Sequence, residues 1–285
     1  MLWLHLLVNG LVWGCALGMV AVSFSLVFAT TKIFHVAHAA VYGLGGYLAW
    51  SALKHGMPEW AALLVGVVAC AITGTLIQKL LYERLDRRGA THLVILIASL
   101  GLSAVMQNAV AAVYTSNVLQ FGLPWAARTT SIGGVLLTNA QMLTVVAGIL
   151  SYLGAMGFAH HTVLGKRMRA VASNPFLAEI TRLQPRQVHI AVMAIASAMV
   201  AIPGVLVPLD LGLQPFGGVP ILLTATIAVI AGGVGSISGA FLVAVGIAVL
   251  QNLSLLVIPG EWSIGITFGI FVIFMLFRPR GLFAG

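Results

Sequence analysis

Charge is what this sequence lacks most. Only 7% of its 285 residues are Asp, Glu, Lys or Arg, and only six are acidic. A water-exposed surface needs about a quarter of its residues charged, so a soluble enzyme, a nucleic-acid reader and a disordered chain are all excluded. Cysteine is nearly absent too. Cys15 and Cys70 both lie inside apolar runs and form no paired framework, so they say nothing about redox compartment. Missing as well are a Walker A glycine loop ending in Lys-Ser or Lys-Thr, any long linker, and any low-complexity tract. Any use of ATP must come from another chain.

What is present is apolar: 60% of the residues, with mean hydropathy +1.08. The reading is an all-α polytopic membrane protein forming a single transmembrane domain over 1–285, because a β-barrel would alternate polar and apolar residues. Nine segments are long and apolar enough to be candidate spans: about 6–29, 33–53, 60–79, 92–114, 138–159, 188–210, 219–233, 238–258 and 262–277. Eight or nine should cross. Segment 219–233 is short and runs into glycines, so a broken or re-entrant helix is expected near 219–240. The first basic residue other than histidine is Lys32, so the N-terminal run is expected to stay as a span rather than act as a cleaved signal.

Basic residues fix the orientation. Lys32, Lys79, Arg84, Arg87, Arg88, Lys166, Arg167, Arg169, Arg182, Arg186, Arg278 and Arg280 fall on one side, which is 12 of the 14 Lys and Arg. That side should be cytoplasmic, with the N-terminus outside and the C-terminus inside. The net charge of +8 then reflects topology and contact with lipid, not nucleic acid.

Four segments carry further information. Gly10, Gly14 and Gly18 at i, i+4 and i+8 form a smooth helix stripe for close packing, and Gly235 and Gly239 repeat the spacing. His35 and His38 at i, i+3 are read as sharing one helix face. They suit either hydrogen-bonded neutral histidines or the wall of a path. No carboxylate or thiol joins them as a metal site would require. Gly165–Pro185 lies within a cytoplasmic loop at about 160–187. Asn174 can cap a helix, Pro175 suits its first position, and Pro185 is read as its stop. Phe176, Ile180 and Leu183 share one face, which would lie on lipid headgroups or dock into a partner's groove. Ala231–Ala240 is too glycine-rich for a relaxed helix. Ser236 and Ser238 there would face a path, or the break serves tight packing. A serine hydrolase is disfavoured because the spacing is not GxSxG.

Together these segments resemble the permease subunits of branched-chain amino acid-type ABC importers. Asn9-Gly10 opens the first helix as in that family. His35-Val-Ala-His38-Ala39 sits where the family often shows Asn-Phe-Ala-His-Gly. Arg169-Ala170 and Asn174-Pro175 match its cytoplasmic loop, and Gly232–Ala240 matches its Gly-Gly-x-Gly-Ser-x-x-Gly-Ala signature. Phe277–Phe283 matches its usual ending. The resemblance implies a second permease subunit, two ATP-binding ATPases and an extracytoplasmic substrate-binding protein in a bacterial inner membrane. It implies no cofactor in this chain and no catalytic residue. It makes Arg169, Asn174, Phe176, Glu179, Ile180 and Leu183 the ATPase-coupling residues, and His35, His38, Ser236 and Ser238 candidates for the path. His35, Val36, Ala39, Phe176, Leu177 and Arg182 depart from the family pattern: the loop changes would tune the match to this chain's own ATPase, while His35 and Ala39, near the presumed path, leave the cargo open among branched-chain amino acids, urea, amides and aromatic acids. The other reading of the chain is a stand-alone proton-coupled transporter using His35 or His38 as relay. All six acids (Glu59, Glu83, Asp86, Glu179, Asp210, Glu261) are placed in loops or at span ends, which weakens it.

Overall fold

A computed structural model describes residues 2–278 and 281–283. Each apolar segment forms a helix: α1 (Leu2–Thr31), α2 (His38–Lys54), α3 (Glu59–Ile77), α5 (His92–Tyr114), α6 (Asn139–His161), α9 (Pro185–Leu211), α10 (Gly218–Gly232), α11 (Ile237–Ser254) and α12 (Ser263–Phe277). Shorter helices α4 (Glu83–Arg87), α7 (Val163–Ser173) and α8 (Pro175–Ile180) lie between them. Among the described residues, seven helical stretches are long and apolar enough to cross a membrane. The other two, α2 with 17 residues and α10 with 15, are shorter. At about 1.5 Å per residue, α10 reaches roughly 22 Å, less than a bilayer core of about 30 Å.

The core forms around α1, most of which is buried. The glycine stripe sets its closest contact. A Cβ added at Gly10 would sit 2.8 Å from the Val249 Cα, and one at Gly14 would sit 2.8 Å from the Val245 Cα. One at Gly18 would sit 2.6 Å from the Phe241 ring. α1 and α11 therefore run antiparallel with their backbones nearly touching, a gain in dispersion that any side chain there would forfeit.

The all-α expectation needs one correction. Thr129–Ile132 and Val135–Thr138 form a two-stranded antiparallel hairpin with Ile132 opposite Val135. Gly133 and Gly134 make its turn at φ 60° and 82°. Two successive positive φ values suit glycine and match the strand twist.

Three other expectations are revised. The helical stretch begun by α3 does not end near residue 79. It continues through a π-helical turn at Gln78–Tyr82 into α4, so Lys79, Arg84 and Arg87 stand on a helix rather than in a loop. His35 and His38 do not share a helix. The chain breaks at Lys32 (φ 57°), and α2 begins only at His38. Pro185 does not stop a helix. It occupies the first turn of α9, where its missing N–H costs nothing.

Candidate functional site

The break between α1 and α2 is held by side chains, because its backbone groups leave both helices. His35 and His38 are fully buried, with ring centroids 5.3 Å apart. His35 Nδ1 lies 2.6 Å from the Tyr82 hydroxyl, which lies 2.7 Å from Ser99 Oγ. The Ala37 N–H donates to Ser99 Oγ at 3.1 Å. On the other side, His38 Nε2 meets Ser23 Oγ at 2.9 Å, and that hydroxyl donates to the Val20 carbonyl at 2.9 Å.

A hydroxyl has one proton. Ser23 spends it on Val20, so His38 Nε2 carries a proton and donates. One assignment uses every hydroxyl proton on the other side: Ser99 donates to Tyr82, and Tyr82 donates to His35 Nδ1. His35 Nε2 is then a donor and His38 Nδ1 an acceptor, the two ring atoms without a partner among the described residues. The histidines thus pin the break to α1, α5 and the π turn. Neither ring borders the polar cavities described below. Tyr82, Ser99 and Ser23 were not singled out in the sequence, because partners 15 to 62 positions apart leave no local pattern.

Glu83 follows Tyr82 and is buried. It accepts from Arg87 at 2.7 Å and pairs with Arg186 in the first turn of α9. The same short turn therefore touches the α1–α2 break on one side and the start of α9 on the other.

The loop before α9 holds two helices where one was expected. Thr162 caps α7, accepting from the Gly165 N–H at 2.9 Å. Arg169 lies on α7 and borders a cavity of about 540 Å³. Asn174 caps α8, its Oδ1 accepting from the Leu177 N–H at 3.1 Å, with Pro175 in the first turn. α8 ends at Ile180, so Leu183 falls in the turn beyond it, after Arg182 at φ 59°. The shared face of Phe176, Ile180 and Leu183 is therefore not one helix stripe. Phe176 is 70% exposed, Leu177 56% and Ile180 64%, while Leu183 packs inward against a buried cluster. Glu179 is also exposed.

The break between α10 and α11 is a backbone crossing. Gly239 packs on Gly232, where an added Cβ at either would run into the other's backbone. Gly235 does not share this packing. It sits in the turn at φ 92°, and its nearest neighbour, the Ala29 Cβ, would be 3.7 Å from an added Cβ. Ser236 caps α11, accepting from the Gly239 N–H at 3.0 Å. The Ser238 hydroxyl lies 3.0 Å from that of Tyr152 and 3.6 Å from Met156 Sδ. Both serines border the 540 Å³ cavity, together with Lys32 and Arg169. Among the described residues no histidine is hydrogen-bonded to either, though His160 borders the same cavity. Leu282 and Phe283 close the break. Leu282 N–H donates to the Ala231 carbonyl at 2.9 Å and Phe283 N–H to that of Gly232 at 3.1 Å, satisfying carbonyls that α10 leaves open. Pro279 and Arg280 of the family-like ending lie outside the described residues.

The family model described as "Branched-chain amino acid transport system / permease component" matches residues 6–275. The high-affinity branched-chain amino acid transport system permease protein BraD of Pseudomonas aeruginosa is 27% identical, covering 98% of this chain and 95% of its own. LivH of Escherichia coli, a permease protein named for the same kind of system, is 23% identical over 96% of this chain and 93% of its own. Among solved structures, PsaBC from Streptococcus pneumoniae in complex with Fab shares the fold, with TM-score 0.53 at 12% identity. That likeness covers 97% of this chain and 93% of the other. With nearly its whole length matched, this chain belongs to the family of branched-chain amino acid transport system permease components.

Proposed function

We propose that this chain is a membrane-spanning subunit of an ATP-driven importer that carries branched-chain amino acids or a related small amphipathic solute across a bacterial inner membrane. The observation that carries the reading, beside the family, is α8. It presents Phe176, Leu177 and Ile180 to solvent on the side rich in Lys and Arg. An apolar face exposed there has a use if a partner's groove receives it. The partners are two ATPases below, a second permease subunit beside the chain, and an extracytoplasmic binding protein above. With α2 and α10 both counted as crossings there are nine, and the positive-inside rule then puts the N-terminus outside, the C-terminus in the cytoplasm and the basic clusters on the cytoplasmic side.

Coupling follows from the connections. ATPase closure pushes α8. The turn at Arg182–Gln184 passes the push to α9, whose Arg186 holds Glu83. Glu83 adjoins Tyr82, which holds His35 at the α1–α2 break. The break is a place where the helices can re-angle without stretching a hydrogen-bonded ladder. The chain itself performs no covalent chemistry, and ATP belongs to the partners. The proton-coupled alternative would pass its proton through His35 or His38, but these rings hold Tyr82 and Ser23 and border neither of the two polar cavities.

Two measurements test this. Purification of the tagged chain in mild detergent should bring two ATPases and a second permease in stoichiometric amount. Uptake should collapse with ATP depletion and survive dissipation of the proton gradient; the reverse result would sink the importer reading.

A further inference from the structure

A second cavity, of about 380 Å³, opens at the opposite end of the bundle. It forms where the starts of α1 and α6 meet the ends of α9 and α11, the face away from α7 and α8. Its volume is that of a small-molecule site. Its lining has three chemical parts. Asp210 supplies the negative charge, and no Lys or Arg is among the lining residues. Asn9 and Asn252 supply carboxamides. Val12, Leu206 and Val207 supply an apolar floor.

The carboxylate is oriented but not used up. One oxygen accepts from the Thr138 hydroxyl at 3.1 Å and the other from the Gln141 amide at 3.0 Å. Each oxygen keeps a further lone-pair direction. Asn252 gives one amide proton to the Ala248 carbonyl at 3.0 Å and has another to give. The Asn9 carboxamide makes no side-chain hydrogen bond to another described residue and lies exposed. One fixed anion, two amide donors and an apolar floor complement a molecule carrying an ammonium, a carboxylate and an apolar side chain.

We propose that this cavity is a low-affinity reception site for a zwitterionic α-amino acid with an uncharged side chain. Asp210 binds the ammonium, Asn9 and Asn252 bind the carboxylate, and the side chain rests on Val12, Leu206 and Val207. The inference rests on the importer reading for its orientation and adds the place where cargo first meets this chain. Weak binding follows from the setting. Asp210 is exposed, so its attraction is screened by water and salt. A site that must pass its cargo onward needs no more.

The test is cysteine protection in the full complex held in nanodiscs. Val207→Cys is modified by a water-soluble quaternary-ammonium thiol reagent, with the unsubstituted chain as control because Cys15 and Cys70 are buried. L-leucine and L-valine serve as probes, with 4-methylpentanoate lacking the ammonium and isopentylamine lacking the carboxylate. At ten times its Kd, leucine should slow labelling about tenfold, following 1 + [L]/Kd. The two truncated analogues should protect far less. Asp210→Asn should still label but lose protection by leucine, and so should Asn9→Asp, which repels the ligand carboxylate. Equal protection by 4-methylpentanoate, retained protection in Asp210→Asn, or no protection by leucine or valine at any soluble concentration would each overturn the site. ATP-independent uptake would instead overturn the importer reading and leave the protection result standing.

Discussion

The two hydrogen-bond chains, Ser99–Tyr82–His35 and His38–Ser23–Val20, are decided atom by atom. Each hydroxyl has one proton and each neutral imidazole one donor and one acceptor, so fixing Ser23 fixes the His38 tautomer. Tyr82→Phe removes the donor to His35 and the acceptor for Ser99 together. Leaving buried polar atoms unpaired costs about 1–3 kcal/mol, and thermal unfolding in detergent should show it. Gly14→Leu should do at least as much harm by another route. Its side chain has no room beside Val245, and overpacking costs typically about 1–3 kcal/mol. Gly154→Leu, on α6 where an added Cβ meets nothing within 4 Å, is the control and should leave the melting temperature unchanged.

At the scale of elements, the π turn Gln78–Tyr82 with Glu83 joins the start of α9 to the α1–α2 break. If it transmits motion, Glu83→Gln and Arg186→Gln should each lower uptake per ATP hydrolysed while the ATPases keep turning over. A double-mutant cycle on that ratio should be non-additive, because the two groups touch. Additive effects would mean that the pair only holds the fold. α8 provides the complementary element. Phe176→Asp places a charge on the exposed face proposed to dock and should uncouple transport with membrane insertion intact, as surface labelling of the intact chain would verify. Normal uptake by that variant would sink the docking role.

For the whole molecule, the two ends of the bundle differ in kind. The end bearing α7 and α8 carries a cavity edged by Lys32 and Arg169, and the other carries a cavity edged by Asp210. The two cavities thus differ in the sign of the charge at their edges. Neither α2 nor α10 reaches the length of the seven longer stretches, and each follows a break or turn. At both breaks polar side chains supply partners, His35 and His38 with Tyr82, Ser99 and Ser23 at the first and the Ser236 cap at the second, since a broken helix must find partners for the groups it releases.

Much of this was legible in one dimension. Scarce charge and long apolar runs imposed a helical membrane protein, because hydrocarbon tolerates no unpaired backbone. Local chemistry marked the Asn174 cap, the glycine stripe of α1 and the break after α10. Read without its surroundings, Gly235 looked like a packing residue, Pro185 like a stop and His35 like a helix residue. The structure makes them a turn, a start and a break. The Gly133-Gly134 hairpin had a sequence signal, but it lay in a gap between apolar segments. What only the tertiary structure decided is which distant groups meet: Tyr82 with His35, Arg186 with Glu83, and Asp210 with Asn9 around one cavity. Periodicity records which face of a helix is apolar. It carries no record of which other helix that face will find, because that choice is made by packing across the whole bundle.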